Sequence, residues 1–493
     1  MFNKSDVYVI NQNFEVVYLK GIKHNGNTYY QYSDDKNQVD DLNKKTITEI
    51  AEGGGTVEGW TKEPKTLRTG ETITLKAIPN KVISNGTEYS YDFAGWYLND
   101  ELLSTEPEYT ITVTNDATYV AKFVAGYTFI YYADESIVVD TSTTINQNSG
   151  YKGDTNIKKI EFGKNCTEIQ ASAFNGCTGL ESIESSGDNN LYLSGMYVFQ
   201  GCTGLTTVNM PNVSFNTGYS GYQFNGCTNL EDITLGSRDK PVSAIGQWTF
   251  QNAKKDNLII KIYVGSNVTT LGDGFGATNA TMEYYDSTTG NLKNVILGCK
   301  YKGDTEINFT EIPNADKITK IKANAFNGCT NLALTSLPTN LTFIGGNAFS
   351  GCKNLKITNI PSSCTEIQAS AFNGCTGLES IESSGDNNLN LSGLYVFQGC
   401  TSLTTVNLRN VSFNTGYGGY QFNGCTNLED VALGSKDKPV SAIGTGVFQN
   451  AKKSNLVIKI YVTSGTSSLG SQPWGATNAT IEYYDATSGT KIN

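Results

Sequence analysis

The chain has 493 residues, more than one hydrophobic core normally serves, so several domains or an array of repeats is expected. Only 17% of the residues are charged, the formal net charge is −11, and Lys and Arg are scattered singly, which excludes a basic surface for nucleic acid. The composition, rich in Gly and Tyr, is typical of a β-rich surface protein, and no apolar run approaches the ~20 residues that membrane insertion requires.

Residues 1–50 are the first predicted element, an N-terminal β module. The stretches DVYVI, FEVVYLKG and TYYQY are enough for a hairpin or three short strands. The polar run that follows, SDDKNQVDDLNKK, predicts a linker or a solvated turn. The start of the chain lacks the basic and then apolar pattern of a secretory signal peptide, so we expect either a processed surface chain or a virion protein released by lysis.

Residues 51–126 predict a small β-rich domain. Apolar and polar residues alternate in TITLKAI and YTITVT, which places one face of a small sheet against a core. The turn dipeptides NG and ND separate the strands. The expected core is formed by Phe93, Trp96 and Phe123.

Internal repeats dominate the rest of the chain. Two series of phenylalanines, with steps of 23 to 26 residues, mark them: Phe174, Phe199, Phe224 and Phe250, then Phe326, Phe349, Phe372, Phe397, Phe422 and Phe448. Around them the consensus is I-x-x-x-A-F-x-G-C-x-x-L-x-x-I. A unit with so few apolar positions cannot bury its own face, so the copies must stack as the coils of a solenoid.

The repeats form two blocks, residues 127–290 and 291–493. In each block the series of repeats begins after YKGDT and ends on a denser apolar run, NLIIKIYV or NLVIKIYV, which suits a closing element. The segment from Cys166 to Leu191 recurs without change from Cys364 to Leu389, so the second block is a duplicate of the first with added coils. We expect one strand per coil in a parallel sheet, at ~4.8 Å per coil.

The consensus resembles the units of the BspA-like leucine-rich repeat family, most clearly in LTFIGGNAFSGCKNLKITNIP at residues 341–361. Residues 53–124 are similar to InlB B-repeat-like domains, with GGGTV, GETITLKA, FAGWY and ATYVAKF. These resemblances imply a mainly β protein: a leucine-rich-repeat solenoid in two capped blocks, a β-grasp-like domain before it and the N-terminal module. They also imply extracellular recognition without catalysis.

Eight cysteines stand three residues after the repeat phenylalanines: Cys177, Cys202, Cys227, Cys329, Cys352, Cys375, Cys400 and Cys425. Stacked coils would place them close enough for disulfides. However, Ala253 and Ala451 take the same position in the last coils, which indicates a small packing side chain. No C-x-x-C pair occurs, so we expect reduced core thiols and no metal; Cys299, outside the pattern, is a candidate for exposure.

Catalytic residues are scarce. His24 is the only histidine, which excludes a Ser-His-Asp or Cys-His arrangement within the repeats. The acidic pairs Glu231–Asp232 and Glu429–Asp430 are predicted on a solvated sheet face, and a polysaccharide-cleaving groove ranks last among the functions considered. The runs SSGDNNL and DDKNQVDD lack the spacing of a calcium loop and predict polar loops, so no cofactor is expected.

Four tyrosines are the candidate ligand-binding residues. The segments NTGYSGYQF and NTGYGGYQF carry Tyr219, Tyr222, Tyr417 and Tyr420 between glycines. Exposed amphipathic rings there suit stacking on sugars or contact with a protein. The alternative is that the rings cover the edge of the solenoid.

The sequence therefore predicts a non-enzymatic recognition protein that presents its repeats to a host surface protein or glycan. Attachment to a larger particle or envelope is expected through residues 1–50. A phage fibre or decoration protein is the preferred interpretation, with a bacterial cell-surface adhesin or a purely structural component as alternatives. Assembly into a homo-oligomer is left open.

Overall fold

A computed structural model describes residues 7–10, 16–24, 27–33, 44–58, 63–186, 190–216, 221–383, 385, 387–413, 419–451, 453–470 and 473–492, with the backbone alone for residues 7–33. The chain divides into two compact units, Met1–Phe129 with Ile137–Asp140, and Ile130–Ser136 with Thr141–Asn493. The predicted N-terminal module and β domain fall in the first unit, and the repeats fall in the second.

The first unit consists of three sheets. Its strands are β1 (Val7–Ile10), β2 (Val16–His24), β3 (Asn27–Ser33), β4 (Lys44–Glu52), β5 (Gly55–Val57), β6 (Lys65–Arg68), β7 (Thr72–Pro79), β8 (Lys81–Ser84), β9 (Thr87–Leu98), β10 (Glu101–Ser104), β11 (Glu108–Thr112) and β12 (Ala117–Ala125). They form the sheets β1-β2-β3, β11-β7-β5 and β10-β9-β12-β4-β6, with β8 beside β9.

Aromatic residues fill the core of this unit. Trp96 and Phe123 are buried, and the ring of Phe93 lies 5.9 Å from that of Trp96 and 5.5 Å from that of Phe123. The boundary predicted between residues 50 and 51 falls inside β4, which pairs with β12 and β6. The β domain therefore begins at or before Lys44.

The second unit is the solenoid of repeats. The strands that follow β12 are β13 (Thr128–Tyr132), β14 (Ile137–Asp140), β15 (Thr144–Ile145), β16 (Ile157–Phe162), β17 (Glu168–Ile169), β18 (Ser182–Ser185), β19 (Leu191–Leu193), β20 (Thr207–Met210), β21 (Val213–Phe215), β22 (Asp232–Leu235), β23 (Ile259–Val264), β24 (Thr281–Asp286) and β25 (Leu292–Leu297). In block 2 they are β26 (Ile318–Ile321), β27 (Phe343–Ile344), β28 (Asn359–Ile360), β29 (Glu366–Ile367), β30 (Ser380–Ser383), β31 (Leu389–Leu391), β32 (Thr405–Leu408), β33 (Val411–Phe413), β34 (Asp430–Leu433), β35 (Val457–Val462), β36 (Thr480–Asp485) and β37 (Lys491–Ile492). Within the described residues, the 3₁₀ turn Ala315–Lys317 is the only helical segment.

Most coils contain two strands, where the sequence predicted one. A longer strand such as β18 follows the phenylalanine turn, and a shorter one such as β17 precedes it. Both kinds pair in parallel with their equivalents in the next coil: Ile183 is paired with Val208, and Ile169 with Leu193. The second strand exists because a closed coil must also return across its other face in extended backbone, where its amide groups find partners in the neighbouring coil.

The two blocks share one sheet, in the order β13-β16-β18-β20-β22-β23-β24-β25-β26-β27-β29-β31-β33. Strand β25 is antiparallel to β24 and parallel to β26. This reversal lets the short strands of block 2 continue the sheet that the long strands of block 1 began. The long strands of block 2 form a separate sheet, β28-β30-β32-β34-β35-β36-β37, so the blocks present opposite legs of their coils on the shared sheet.

Stacked rings form the spine of each block. All ten repeat phenylalanines have no exposed surface, and consecutive rings within each series stack with centroids 5.1 to 5.6 Å apart. Tyr151 and Tyr301, the first residues of the two YKGDT motifs, each stack 5.4 Å from the first phenylalanine and so begin the columns. Burial of these rings is the main hydrophobic gain of each added coil.

Candidate functional site

Two stacked tyrosine pairs stand on the turns that lead into the phenylalanine column. Tyr197 stacks on Tyr222 with ring centroids 5.4 Å apart and planes 18° apart. Tyr395 stacks on Tyr420 with the same distance and angle. All four rings are half-buried, and each residue lies two positions before a core phenylalanine. We call these the tyrosine pairs.

The backbone of all four tyrosines is left-handed. Their φ angles are 61° at Tyr197, 45° at Tyr222, 62° at Tyr395 and 51° at Tyr420. Other coils fill the same position with small polar residues at positive φ: Ser172, Asn324, Asn347 and Ser370. A bulky residue in this region is strained by on the order of 1–3 kcal/mol. Because Asn and Ser occupy this turn in other coils, the turn itself does not require a tyrosine.

The structure describes two of the four tyrosines of the predicted ligand site. Tyr222 and Tyr420 are partly exposed, whereas Tyr219 and Tyr417 lie outside the described residues. Sequence reasoning missed their stacking partners Tyr197 and Tyr395. The available signal was spacing, since Tyr197 and Tyr222 are separated by the same 25 residues as Phe199 and Phe224.

Block 1 exposes apolar side chains where its copy does not. Tyr192, Met196 and Trp248 are 40%, 37% and 37% exposed, and they are the exposed large hydrophobic residues of the repeats within the described part of the chain. Their counterparts in block 2 are Asn390, Leu394 and Gly446. The two blocks therefore differ in the apolar surface that they expose at corresponding positions.

The acidic pairs on the long strands are bound to lysines. In block 1, Glu231 pairs with Lys255, and Asp232 lies 3.1 Å from the Nζ of Lys261. The same arrangement recurs in block 2, where Asp430 lies 3.0 Å from the Nζ of Lys459. These carboxylates each have a cationic partner on an exposed sheet, an arrangement that suits surface ion pairs.

No group of three or more His, Cys, Asp or Glu suited to a metal ion occurs within the described residues. Parts of the two SSGDNNL runs and of DDKNQVDD lie outside those residues. Among the residues that the structure describes, no helix is long and apolar enough to cross a membrane.

The repeat cysteines are free thiols in the core. Each donates from its Sγ to a backbone carbonyl of the preceding coil, as Cys375 does to Phe349 at 3.0 Å. Burial raises the pKa of the Cys329 thiol to about 11 and that of Cys364 to about 12. Cys299, predicted to be a candidate for exposure, is also buried, because it packs at the block junction and donates to the carbonyl of Ala323.

Comparison with protein families identifies both parts of the chain. The model of the BspA type leucine rich repeat region matches residues 143–279, 300–417 and 386–472, and that of the divergent InlB B-repeat domain matches residues 45–127. Both resemblances predicted from the sequence are confirmed, together with the mainly β solenoid fold.

Several solved structures are similar to this chain at low identity and low TM-score. A leucine-rich repeat protein from Bacteroides ovatus is 17% identical over 72% of this chain and 90% of its own, with a TM-score of 0.36. The pneumococcal vaccine antigen PcpA is 16% identical over 94% and 95%, with a TM-score of 0.30. A leucine-rich cell surface protein from Faecalibacterium prausnitzii is 19% identical over 57% and 93%, with a TM-score of 0.25. No curated protein matches the chain.

Proposed function

We propose a recognition function for this chain, which belongs to the BspA-type leucine-rich repeat family. The protein acts at a surface and binds a host-cell protein or glycan through its repeats, without catalysis. A long solenoid is suited to this task because each added coil extends the contact surface without changing the core.

The tyrosine pairs are the observation that carries the proposal. They combine partly exposed aromatic rings with a strained backbone, at a position that Ser or Asn occupies in several other coils. Stacking holds the rings in place before any ligand arrives, so little side-chain entropy is lost on contact. Tyrosine is also among the residues most enriched at binding hot spots.

Absence of catalysis is part of the proposal and is supported by the state of the acidic residues. Glu231 and Glu429 each hold a lysine in an ion pair, as do Asp232 and Asp430. Each of these four carboxylates is engaged by a lysine on an exposed sheet, an arrangement that suits a surface ion pair better than a catalytic pair.

The carrier of the protein is a bacterial envelope or a phage particle, to which residues 1–50 attach it. Family membership supports a surface location in general. Mass spectrometry of isolated envelopes and of purified particles from the same culture distinguishes the two carriers. Many copies in a particle, together with no soluble ligand, would favour the purely structural role.

The recognition function is tested with the full chain on immobilised matrix proteins, cultured host cells and a glycan array. We expect binding that falls about tenfold when Tyr222→Ala and Tyr420→Ala are combined, because each change removes one ring of a pair.

The matched control is Tyr263→Ala combined with Tyr461→Ala. These rings also stack at 5.4 Å, on Tyr285 and Tyr484, but they stand on the terminal strands. Equal loss in both double variants would contradict a specific role of the tyrosine pairs. Absence of binding to every surface would contradict recognition itself.

A further inference from the structure

The last regular coil of block 1 contains a groove beside Trp248, a residue whose counterpart in block 2 is Gly446. The groove has a volume of about 470 Å³ and is lined by, among others, Gln247, Trp248, Asp273, Phe275 and Thr278. This volume lies within the range of small-ligand sites in proteins. We call it the Trp248 groove.

The floor of the groove is formed by a tightly packed glycine loop. A Cβ on Gly274 would lie 2.6 Å from the carbonyl oxygen of Ala277 and 2.7 Å from the Nζ of Lys322, so no side chain fits there. The ring of Phe275 is buried against the coil, while Trp248 stands at the rim with 37% of its surface exposed. The loop thus holds an open space beside an exposed indole.

The charged groups at the groove all have partners, including Lys322 next to Gly274, whose Nζ donates to the carbonyls of Ala277 and Ala280. Asp273 lies 2.7 Å from the Nζ of Lys320, so its carboxylate does not present an uncompensated negative charge to a ligand. Gln247 and Thr278, both exposed, add neutral donors and acceptors at the rim. A ligand that fits this lining has an apolar face for the indole, several hydroxyl groups and no net charge.

We propose that the Trp248 groove binds a neutral saccharide. The C–H bonds on one face of a pyranose ring contact the electron-rich face of Trp248. The hydroxyl groups bond to the Asp273 carboxylate, the Gln247 amide and the Thr278 hydroxyl, which line the groove and together offer donors and acceptors. The assignment rests on the proposed recognition function and names the ligand class of one of its sites.

Within the described residues, block 2 carries no exposed indole at the corresponding place. Gly446 replaces Trp248, and the ring of Tyr420 lies directly over it, since a Cβ on Gly446 would be 2.5 Å from Cε1 of Tyr420. Trp474 lies between β35 and β36, at the place that Phe275 takes in block 1. It is fully buried and donates its indole N–H to the carbonyl of Leu469 at 3.0 Å. The chain is therefore expected to bind one saccharide, not two.

The test uses the full chain and a panel of probes: methyl glycosides and disaccharides of glucose, galactose, mannose and N-acetylglucosamine, with sialyllactose as the anionic probe and choline as the cationic one. Binding is followed by tryptophan fluorescence and by calorimetry, which gives the stoichiometry. We expect at least one neutral saccharide to bind with one site per chain.

Three variants locate the site. Trp248→Gly introduces the residue that block 2 already carries, and it is expected to weaken binding by tenfold or more. Trp248→Tyr keeps an aromatic face and is expected to bind within about fivefold of the parent, which covers the case in which the glycine variant misfolds. Asp273→Asn removes a carboxylate acceptor and is expected to weaken binding of a neutral sugar by about fivefold, whereas it would abolish binding of a cation.

Several results would overturn the assignment: no neutral saccharide binds at about 10 mM, the affinity is the same in Trp248→Gly, or only sialyllactose or choline binds. If host-cell or matrix binding still depends on the tyrosine pairs in that event, the groove assignment fails and the recognition function stands. If neither kind of binding is found, both fail.

Discussion

Gly446 lies beneath the ring of Tyr420, at the position where block 1 carries Trp248. The Cβ of any other residue at 446 would lie 2.5 Å from Cε1 and 2.7 Å from Cδ1 of this ring. Corresponding coils of the two blocks therefore differ in packing. In block 2 a tyrosine ring covers the backbone, and in block 1 an indole is exposed at the same position.

Gly446→Ala tests this contact. The added methyl must displace the ring of Tyr420, and such overpacking costs about 1–3 kcal/mol in the free energy of unfolding. Urea denaturation of the full chain measures the loss. The control is Trp248→Ala, which removes an exposed side chain and should change stability by less than the glycine variant does; a reversed order would show that the ring is free to move aside.

Phe372→Ala interrupts a column of rings. Phe372 has no exposed surface and stacks at 5.2 Å on Phe349 and at 5.1 Å on Phe397. Truncation leaves a cavity that neighbouring coils cannot close, so we expect a loss of about 3–5 kcal/mol. Hydrogen exchange should show the loss spreading to both adjacent coils, because coupling in a solenoid acts between neighbours.

The control for this variant is Tyr192→Ala, at a ring that is 40% exposed on the edge of a coil. Its cost is expected to stay near 0.5 kcal/mol. Equal destabilisation by both changes would mean that the ring column contributes little to stability.

The thiols of the native chain are expected to resist alkylation. All eleven cysteines are buried and free, and burial raises the pKa of Cys299 and of Cys329 to about 11, so little thiolate forms at pH 8. Iodoacetamide followed by intact-mass spectrometry should add no label within minutes at pH 8, and eleven labels after denaturation. Rapid labelling of the native chain, or fewer than eleven labels after denaturation without reductant, would contradict the reduced and buried state.

The burial of Glu49 predicts that the β domain loses stability as the pH rises. Glu49 is 7% exposed on β4, and burial raises its pKa from 4.5 to about 7, against a smaller opposing effect of Lys65. Between pH 4.5 and 7 the folded state keeps a proton that the unfolded state releases. Stability from this group is therefore fully present below pH 4.5 and is lost by the time the pH exceeds about 7.

Glu49→Gln removes the titrating group. At pH 8 we expect the variant to be more stable than the parent by about 1–3 kcal/mol, with the difference vanishing at pH 4. Hydrogen exchange of β4 and β12 in the full chain reports this locally. Glu52→Gln, on the exposed end of the same strand, keeps Glu49 and should lose protection of β4 between pH 4 and pH 8 as the parent does. A parent chain whose β4 is equally protected at both pH values would contradict the assignment.

Much of the fold was readable from the sequence because a solenoid repeats its own core. The spacing of Phe174, Phe199 and Phe224 predicted stacked coils, and Ala253 in place of a cysteine predicted a small packing position. The second strand in each coil was missed, since pairs such as Glu168–Ile169 are too short to show an alternating pattern. Only part of the candidate site was predicted from the sequence. Tyr222 was selected because of the glycines around it, whereas its stacking partner Tyr197 has no glycine directly beside it and was missed.

The amino-acid sequence by itself determined the spacing of the repeats, the phenylalanines of their spine and the duplication of a whole block, because these depend on local periodicity. Only the tertiary structure decided that β25 reverses the chain so that long and short strands exchange sheets between the blocks. It also decided that Tyr197 meets Tyr222 and that Trp248 stands beside an open groove. These contacts join residues from different coils, and they are set by the packing of one coil on the next, which no local pattern records.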